Sequence, residues 1–256
     1  MTPPPDWRDP HVEREHFEDV LSRRGALYWA ERTVAGKRRR DRRAEMLIAA
    51  ARAAARAQPR RLLEIGCGTG AFTRALTPLT SGRLVGVDVA PELVMRAHAA
   101  AVDAVRVVSA DVEALPFAAG AFDAVVGNAV LHHLRLARAL PELLRVLRPG
   151  GAFCFTEPNM LNPQVFLERN VRWIGERLDN SPGETAFVRW RLARLLRQAG
   201  IVDVRTRPFD FLYPLTPKPL IRVVERLGRL LEHTPLVAEI AGSLLVTGRK
   251  PEAGRP

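Results

Sequence analysis

Between residues 59 and 157 short apolar runs alternate with amphipathic stretches. RLLEI (61–65), RLVGVD (83–88), VRVVSAD (105–111), AFDAVVGN (121–128) and GAFCFTE (151–157) each read as a strand. The last four close on an acid or an amide. Between them, AFTRALTPL, PELVMRAHAA and LARALPELLRVL suit helices, and Pro91 falls at a first turn, where its missing N–H costs nothing. Strand followed by helix, repeated, predicts an α/β fold: a mostly parallel, Rossmann-like sheet with helices on both faces.

The flanks follow other patterns. Residues 1–10 are proline-rich and read as a disordered tail. Residues 11–58 read as helical, broken near Gly25 and Gly36, with KRRRDRRAEMLIAAARAAARA free of breakers until Pro59. After Glu157 the rhythm changes: 158–185 and 207–240 read as insertions in the second half of the same domain, which runs from 158 to 256. A helix is expected from Ala186 to Gln198, and VDVRT (202–206) and SLLVTGR (243–249) bring the strands to seven. In KPLIRVVERLGRLLE, the residues Leu220, Val223, Val224, Leu227, Leu230 and Leu231 share one helical face.

Composition narrows the class. The chain has 256 residues, 47% hydrophobic and 26% charged, which suits a globular domain with a substantial core. Its net charge is +11, yet only Lys37, Lys218 and Lys250 are lysines. That skew toward arginine, with abundant alanine, reads as coding bias before it reads as a basic binding surface. MTPPPDWRDP carries acids and prolines where a leader would need an apolar core. The late run PLVAEIAGSLLV is broken by Glu239 and Gly242, so no membrane span is expected. Cys67 and Cys154 lack metal-ligand spacing, and a reducing, cytoplasmic location is the default.

The candidate chemistry begins at LLEIGCGTG, residues 62–70. Gly66, Gly68 and Gly70 alternate with single residues, unlike G-x-G-x-x-G, and no lysine follows as a phosphate loop requires. Glu64 beside the loop would repel a phosphate and attract an ammonium or sulfonium group. Asp88 stands 22 residues after Gly66, placed to accept from both hydroxyls of a ribose. Asp111 ends the third strand and could accept from an adenine amino group. The ligand so described is a cationic adenosine without phosphate.

In LLEIGCGTG, VGVDVAPELV, SADVEALPF, FDAVVGNAVLHHL and LLRVLRPGGAF, over residues 61–156, the chain resembles a class I S-adenosylmethionine-dependent methyltransferase of the small-molecule, type 11-like branch. The resemblance implies a seven-stranded sheet with an antiparallel last strand, residues 59–157 as the cofactor-binding core, and 11–58 as a helical lid. It implies S-adenosylmethionine as cofactor, leaving as S-adenosylhomocysteine, and no metal. Glu64 and the backbone at Gly66, Gly68 and Gly70 would hold the methionine portion, and Asn128 would lie near its amino group and sulfonium. Asp88 would bind the ribose, with Val89 against the adenine and Asp111 and Val112 at its edge. In the lid, Tyr28, Trp29, Gly36 and one arginine of KRRRDRR, Arg39 or Arg42, would reach the cofactor's carboxylate.

His132 and His133 follow the fourth strand, beside the methyl group in that architecture, and are the candidate bases. Glu157, Asn159, Tyr213 and Trp173 are candidates for contacting the acceptor. Aromatic residues crowded between 158 and 213 suggest an apolar or aromatic acceptor of medium size, methylated on oxygen, nitrogen or carbon: a secondary metabolite, a quinone-like ring, or a lipid- or carrier-linked intermediate. A nucleic-acid methyltransferase is the alternative that the charge raises, but NAVLHHL stands where base-amino methylation carries N/D-P-P-Y/F. A cofactor-binding membrane-surface protein without catalysis is the other, on the strength of Arg222, Arg226 and Arg229 in the 218–232 helix. There the reading of that helix as a cover for the active site is favoured.

Overall fold

The computed structural model describes residues 9–24, 33–99, 105–181, 184–252 and 254. Seven strands form one sheet in the order β3-β2-β1-β4-β5-β7-β6. They are β1 (Arg61–Ile65), β2 (Arg83–Asp88), β3 (Val105–Ser109), β4 (Phe122–Asn128), β5 (Leu147–Pro158), β6 (Val202–Phe209) and β7 (Ser243–Arg249). β1 to β5 pair in parallel, whereas β7 runs antiparallel to both β5 and β6. Strand order reverses between β1 and β4, which opens a crevice at the carboxyl ends of the strands.

Alternate residues of each central strand feed two cores. Leu62, Ala124, Val126, Ala152 and Cys154 face one side, where they pack with Ala44, Leu47, Ile48 and Ala51 of α2 (Val34–Ala55) and with Phe72 and Leu76 of α3 (Ala71–Leu76). Leu63, Ile65, Val125, Phe153 and Phe155 face the other. There they meet Leu140 and Leu143 of α5 (Leu136–Val146) and Leu192 and Leu196 of α8 (Arg189–Gln198). The buried positions of α2 fall at i, i+3, i+4 and i+7, so one stripe of the helix is core. Residues 34–55 are thus a structural layer of the sheet, not the lid that the sequence suggested.

The expected break near Gly36 falls just before it, at Thr33, the extended N-cap of α2. Gly36 lies in the first turn of α2, where its N–H donates to the Thr33 side chain at 2.9 Å as an N-cap bond. The covering role falls to α1 (Pro10–Arg24), whose Phe17 and Leu21 pack on Ala90 and on Leu93 of α4 (Pro91–Ala99). β5 is longer than GAFCFTE suggests, starting at Leu147, and α8 begins three residues later than expected. The first insertion forms α6 (Pro163–Asn170) and α7 (Arg172–Arg177), and the second forms α9 (Ile221–Leu231). On α9 the apolar face points outward: Val223, Leu227 and Leu230 are 53, 55 and 67% exposed.

Candidate active site

The ends of β1 to β4 contribute to one cavity of about 300 Å³. The loop after β1 supplies Gly66, Cys67, Gly68 and Thr69; the end of β2 supplies Asp88 and Val89; the segment after β3 supplies Asp111 and Val112; and β4 ends there in Asn128. Pro10, Glu13 and Phe17 of the N-terminal helix line the opposite side. Gly66 has φ +70, and a Cβ there would lie 2.7 Å from Val130 Cγ2. Only glycine allows that turn at that distance.

Asp88 organises the loop. Its Oδ2 accepts from the Gly68 N–H at 2.8 Å and its Oδ1 from the Ala90 N–H at 3.0 Å. Burial raises the pKa of its carboxyl against the pull of those amides. Asp111 lines the cavity and also accepts from the Glu113 N–H at 2.8 Å, so it closes a turn as well. Glu64 and Gly70 do not line the cavity. Glu64 is buried beneath the loop with both carboxylate oxygens lacking a hydrogen-bond partner. Burial pushes its carboxyl up to about 8; the Thr73 hydroxyl pulls it down somewhat, and the Asp88 charge adds to the rise. A buried carboxyl without partners beside the cavity fits a cationic ligand.

Within KRRRDRR the arginine that reaches this cavity is Arg43, not Arg39 or Arg42. Arg42 forms a two-pronged pair with Glu232 at 2.7 Å and lines no cavity described here, and Arg39 pairs with Asp210 at 2.8 Å. Arg43 donates to Asn128 Oδ1 at 3.3 Å, Asp210 Oδ2 at 3.1 Å and Ser243 Oγ at 2.6 Å, leaving its Nε without a partner. Burial and the neighbouring Arg39 charge lower its pKa to about 10, so it stays charged at neutral pH. Helical periodicity was the overlooked signal: Arg43 lies four residues before Leu47 on the buried stripe. Tyr28 and Trp29 lie outside the described residues, and Gly36 and Arg39 line a second cavity instead.

That second cavity, about 900 Å³ and more open, adjoins the first through shared residues: Arg43, Ala129 and His133 line both. Ala129 turns the chain there in a left-handed conformation (φ +55) that strains a non-glycine residue, as functional sites often do. His132 and Tyr213 line the second cavity alone. Phe211 and Leu215 give it an apolar wall, while Arg169 and Arg177 supply charge. Arg169 is largely buried and keeps Nε and Nη1 without partners.

Three of the expected acceptor contacts lie elsewhere. Glu157 is buried and spends both oxygens internally: Oε1 accepts from the N–H groups of Val130 and Leu131, and Oε2 lies 2.7 Å from His132 Nδ1. Asn159 is also buried, and donates to the carbonyls of Glu239 and Ala241. Trp173 is 63% exposed and lines neither cavity. The sequence crowds aromatics between 158 and 213, but Phe166 and Trp190 face solvent and Phe209 is core, so only Phe211 and Tyr213 reach the second cavity.

The two histidines differ. His132 is held between Glu157 and Glu184, its Nε2 3.2 Å from Glu184 Oε1. Burial lowers its pKa, but the hydrogen bonds and charges of the two carboxylates outweigh this and push it up to about 9. Burial raises Glu184, and the His132 hydrogen bond with the charges of His133, His132 and Arg169 reverses this and holds it down at about 2. His133 stands at the junction of the cavities, with Nδ1 3.3 Å from the Glu13 carboxylate. His132, His133 and Glu184 bring ligand atoms within 4.8 Å of one another, a spacing open to a metal ion. However, Arg169 Nη2 already lies 2.6 Å from the Glu184 oxygen that faces His132, so a guanidinium supplies the cation there. Nothing in the sequence around NSPGE singled out Glu184, and Glu13 and Arg169 were missed for the same reason.

A reversed α/β sheet with a glycine loop, two strand-end aspartates and a closing helix around one cavity defines the class I S-adenosylmethionine-dependent methyltransferase fold. Residues 63–155 match the methyltransferase-domain family of type 11, and the chain carries a domain of that kind. Over 119 residues it is 36% identical to the malonyl-[acyl-carrier protein] O-methyltransferase of Legionella pneumophila, covering 45% of this chain and 41% of that protein. The chain thus spans less than half the length of that relative. Over 173 residues it is 27% identical to the demethylmenaquinone methyltransferase of Staphylococcus aureus, covering 57% of this chain and 70% of that one. The fold matches that of the N-methyltransferase NodS from Bradyrhizobium japonicum, solved with S-adenosyl-L-homocysteine. That match has a TM-score of 0.62 at 19% identity, over 93% of this chain and 98% of the other.

Proposed function

We propose that the protein transfers a methyl group from S-adenosylmethionine to an acidic oxygen of a medium-sized organic acceptor with an apolar body. The adjacency of the two cavities, which share Arg43, Ala129 and His133, carries this reading. The donor, when bound, supplies a methyl group already activated by a sulfonium. The loop at Gly66 and Gly68, with Asp88, Val89, Asp111, Val112 and Asn128, would hold it in the smaller cavity, and Arg43, which lines that cavity, would meet its carboxylate.

In-line transfer needs alignment and exclusion of water, and a base if the acceptor must lose a proton. His133 is the base in this reading. Its Nδ1 lies 3.3 Å from the Glu13 carboxylate and its Nε2 3.8 Å from Glu184 Oε1, at the junction where the acceptor would meet the methyl group. His132 is excluded from that role by its raised pKa: at neutral pH it is an imidazolium clamped by two carboxylates, and it holds the wall beside His133. The unpartnered Nε and Nη1 of Arg169 favour an acceptor that brings a negative or developing oxyanion. The name of one relative denotes O-methylation of a malonyl group on a carrier protein, and a malonyl group ends in such an oxygen.

Labelled S-adenosylmethionine should be offered with a panel of malonyl thioesters, hydroxy-quinones and phenols. Transfer to oxygen in at least one class, reduced about a hundredfold or more by His133→Ala with donor affinity retained, supports the reading. Unchanged turnover in His133→Ala would remove that residue from the mechanism. Transfer only to nitrogen would overturn the acceptor class.

A further inference from the structure

We infer that the outer face of α9 docks the protein on an anionic membrane surface. Glu225 in the helix and Glu232 at its C-cap are both turned inward and paired: Glu225 with Arg38 at 3.5 Å and Glu232 with Arg42 at 2.7 Å. Ile221 and Gly228 fix that inner face, with a Cβ at Gly228 falling 3.2 Å from Phe211. Everything outward is apolar or basic. Leu220, Val223, Leu227 and Leu230 are 51 to 67% exposed on one arc, and Leu236 just beyond the helix is 84% exposed. Arg222, Arg226 and Arg229 are exposed on the adjoining arc and form no ion pair among the described residues.

At about 100° per residue, the leucines and valine centre about 120° from Gly228 on one side and the arginines about as far on the other, so the boundary between the two arcs lies opposite the inner face. An apolar arc bordered by arginine suits a helix lying in the interface, its leucines among acyl chains and its guanidinium groups against lipid phosphates. The net charge of +11 adds long-range attraction to an anionic leaflet. A second copy is a poorer occupant, because a two-fold pairing of this face would bring its arginines together. Tyr213 and Leu215, which line the open cavity, lie only a few residues before α9, so docking would set the cavity mouth near the lipid.

The test is co-sedimentation of the full chain with phosphatidylcholine vesicles, with and without phosphatidylglycerol. Binding should require the anionic lipid and weaken in high salt. The R222Q/R226Q/R229Q variant should partition on the order of a hundredfold less, and L227E/L230E should not bind, while both retain donor affinity. Three outcomes would overturn the proposal. They are failure of the wild-type chain to sediment with anionic vesicles, unchanged sedimentation of L227E/L230E, and a free chain that is a dimer dissociated by L227E/L230E. The last would assign the face to a second copy.

Discussion

Glu157 Oε2 lies 2.7 Å from His132 Nδ1, and its other oxygen is bound by two backbone N–H groups of the same turn. One carboxylate at the end of β5 therefore fixes both the ring and the loop that carries it. The pair has a pH signature. His132 has its pKa raised from 6.5 to about 9, so its contribution to stability is complete below about 6.5 and is lost as pH rises through about 9. Glu184, held at about 2, contributes through its own contact with His132 Nε2, which is lost only as pH falls from about 4.5 through about 2. Urea unfolding should show wild type losing about 3 kcal/mol more than His132→Gln between roughly pH 6 and pH 10. Parallel curves would mean that the imidazolium is not formed.

Arg43 and Arg42 are adjacent in sequence and should behave oppositely. Arg43→Gln removes the one cation of α2 that lines the smaller cavity, and S-adenosylhomocysteine affinity should fall about ten- to a hundredfold in calorimetry. Arg42→Gln should leave affinity alone and cost about 1–3 kcal/mol of stability, because Glu232 is buried and loses both of its bonds to the guanidinium. Equal effects on affinity would show that the arginine run acts only as a diffuse field.

The contrast between these arginines also shows what the sequence could convey. The glycine loop, Asp88 and Asp111 were legible because each belongs to a contiguous strand–turn unit whose geometry is local. The seven-strand sheet was legible for the same reason, since the apolar runs repeat. The side of a helix that faces a cavity is set by what packs on its other side. That is why Arg43 was overlooked, why residues 34–55 were read as a lid, and why α9 was read first as a cover for the active site. Glu157 illustrates a further limit. Its position at a strand end was plain, but its two oxygens are claimed by residues 25 to 27 places earlier, a pairing that only the β4–β5 register creates.

Two glycines of the loop should separate stability from binding. Gly66→Ala must adopt φ +70 with its Cβ 2.7 Å from Val130, and should lose about 2–4 kcal/mol. Gly68 (φ +52) has nothing within 4 Å of a Cβ, so Gly68→Ala should cost about 1–2 kcal/mol from the backbone alone. That methyl group would stand in the donor cavity, so donor affinity should drop more than stability does. Thermal melts with and without S-adenosylhomocysteine distinguish the two. If Gly68→Ala is stabilised by ligand as much as wild type, the loop does not contact the ligand closely.

Glu64 provides the most direct test of why this loop would select a cation. Its folded pKa is raised from 4.5 to about 8, so most of the carboxyl is protonated at neutral pH, and the folded state loses stability as pH rises from about 4.5 through about 8. Glu64→Gln should therefore unfold at a higher temperature than wild type above about pH 8. Binding a ligand with a positive amino group and sulfonium favours the ionised form, which releases a proton from Glu64. Near neutral pH, calorimetry in buffers of differing ionisation enthalpy should detect that proton in wild type and not in Glu64→Gln. The ligand's own α-amino group titrates near pH ~8, so the informative quantity is the ratio of wild-type to variant affinity. That ratio should grow as pH rises toward about 8 and then level. A ratio independent of pH would leave the loop amides and Arg43 as the whole basis of selection, with Glu64 only a buried strand residue.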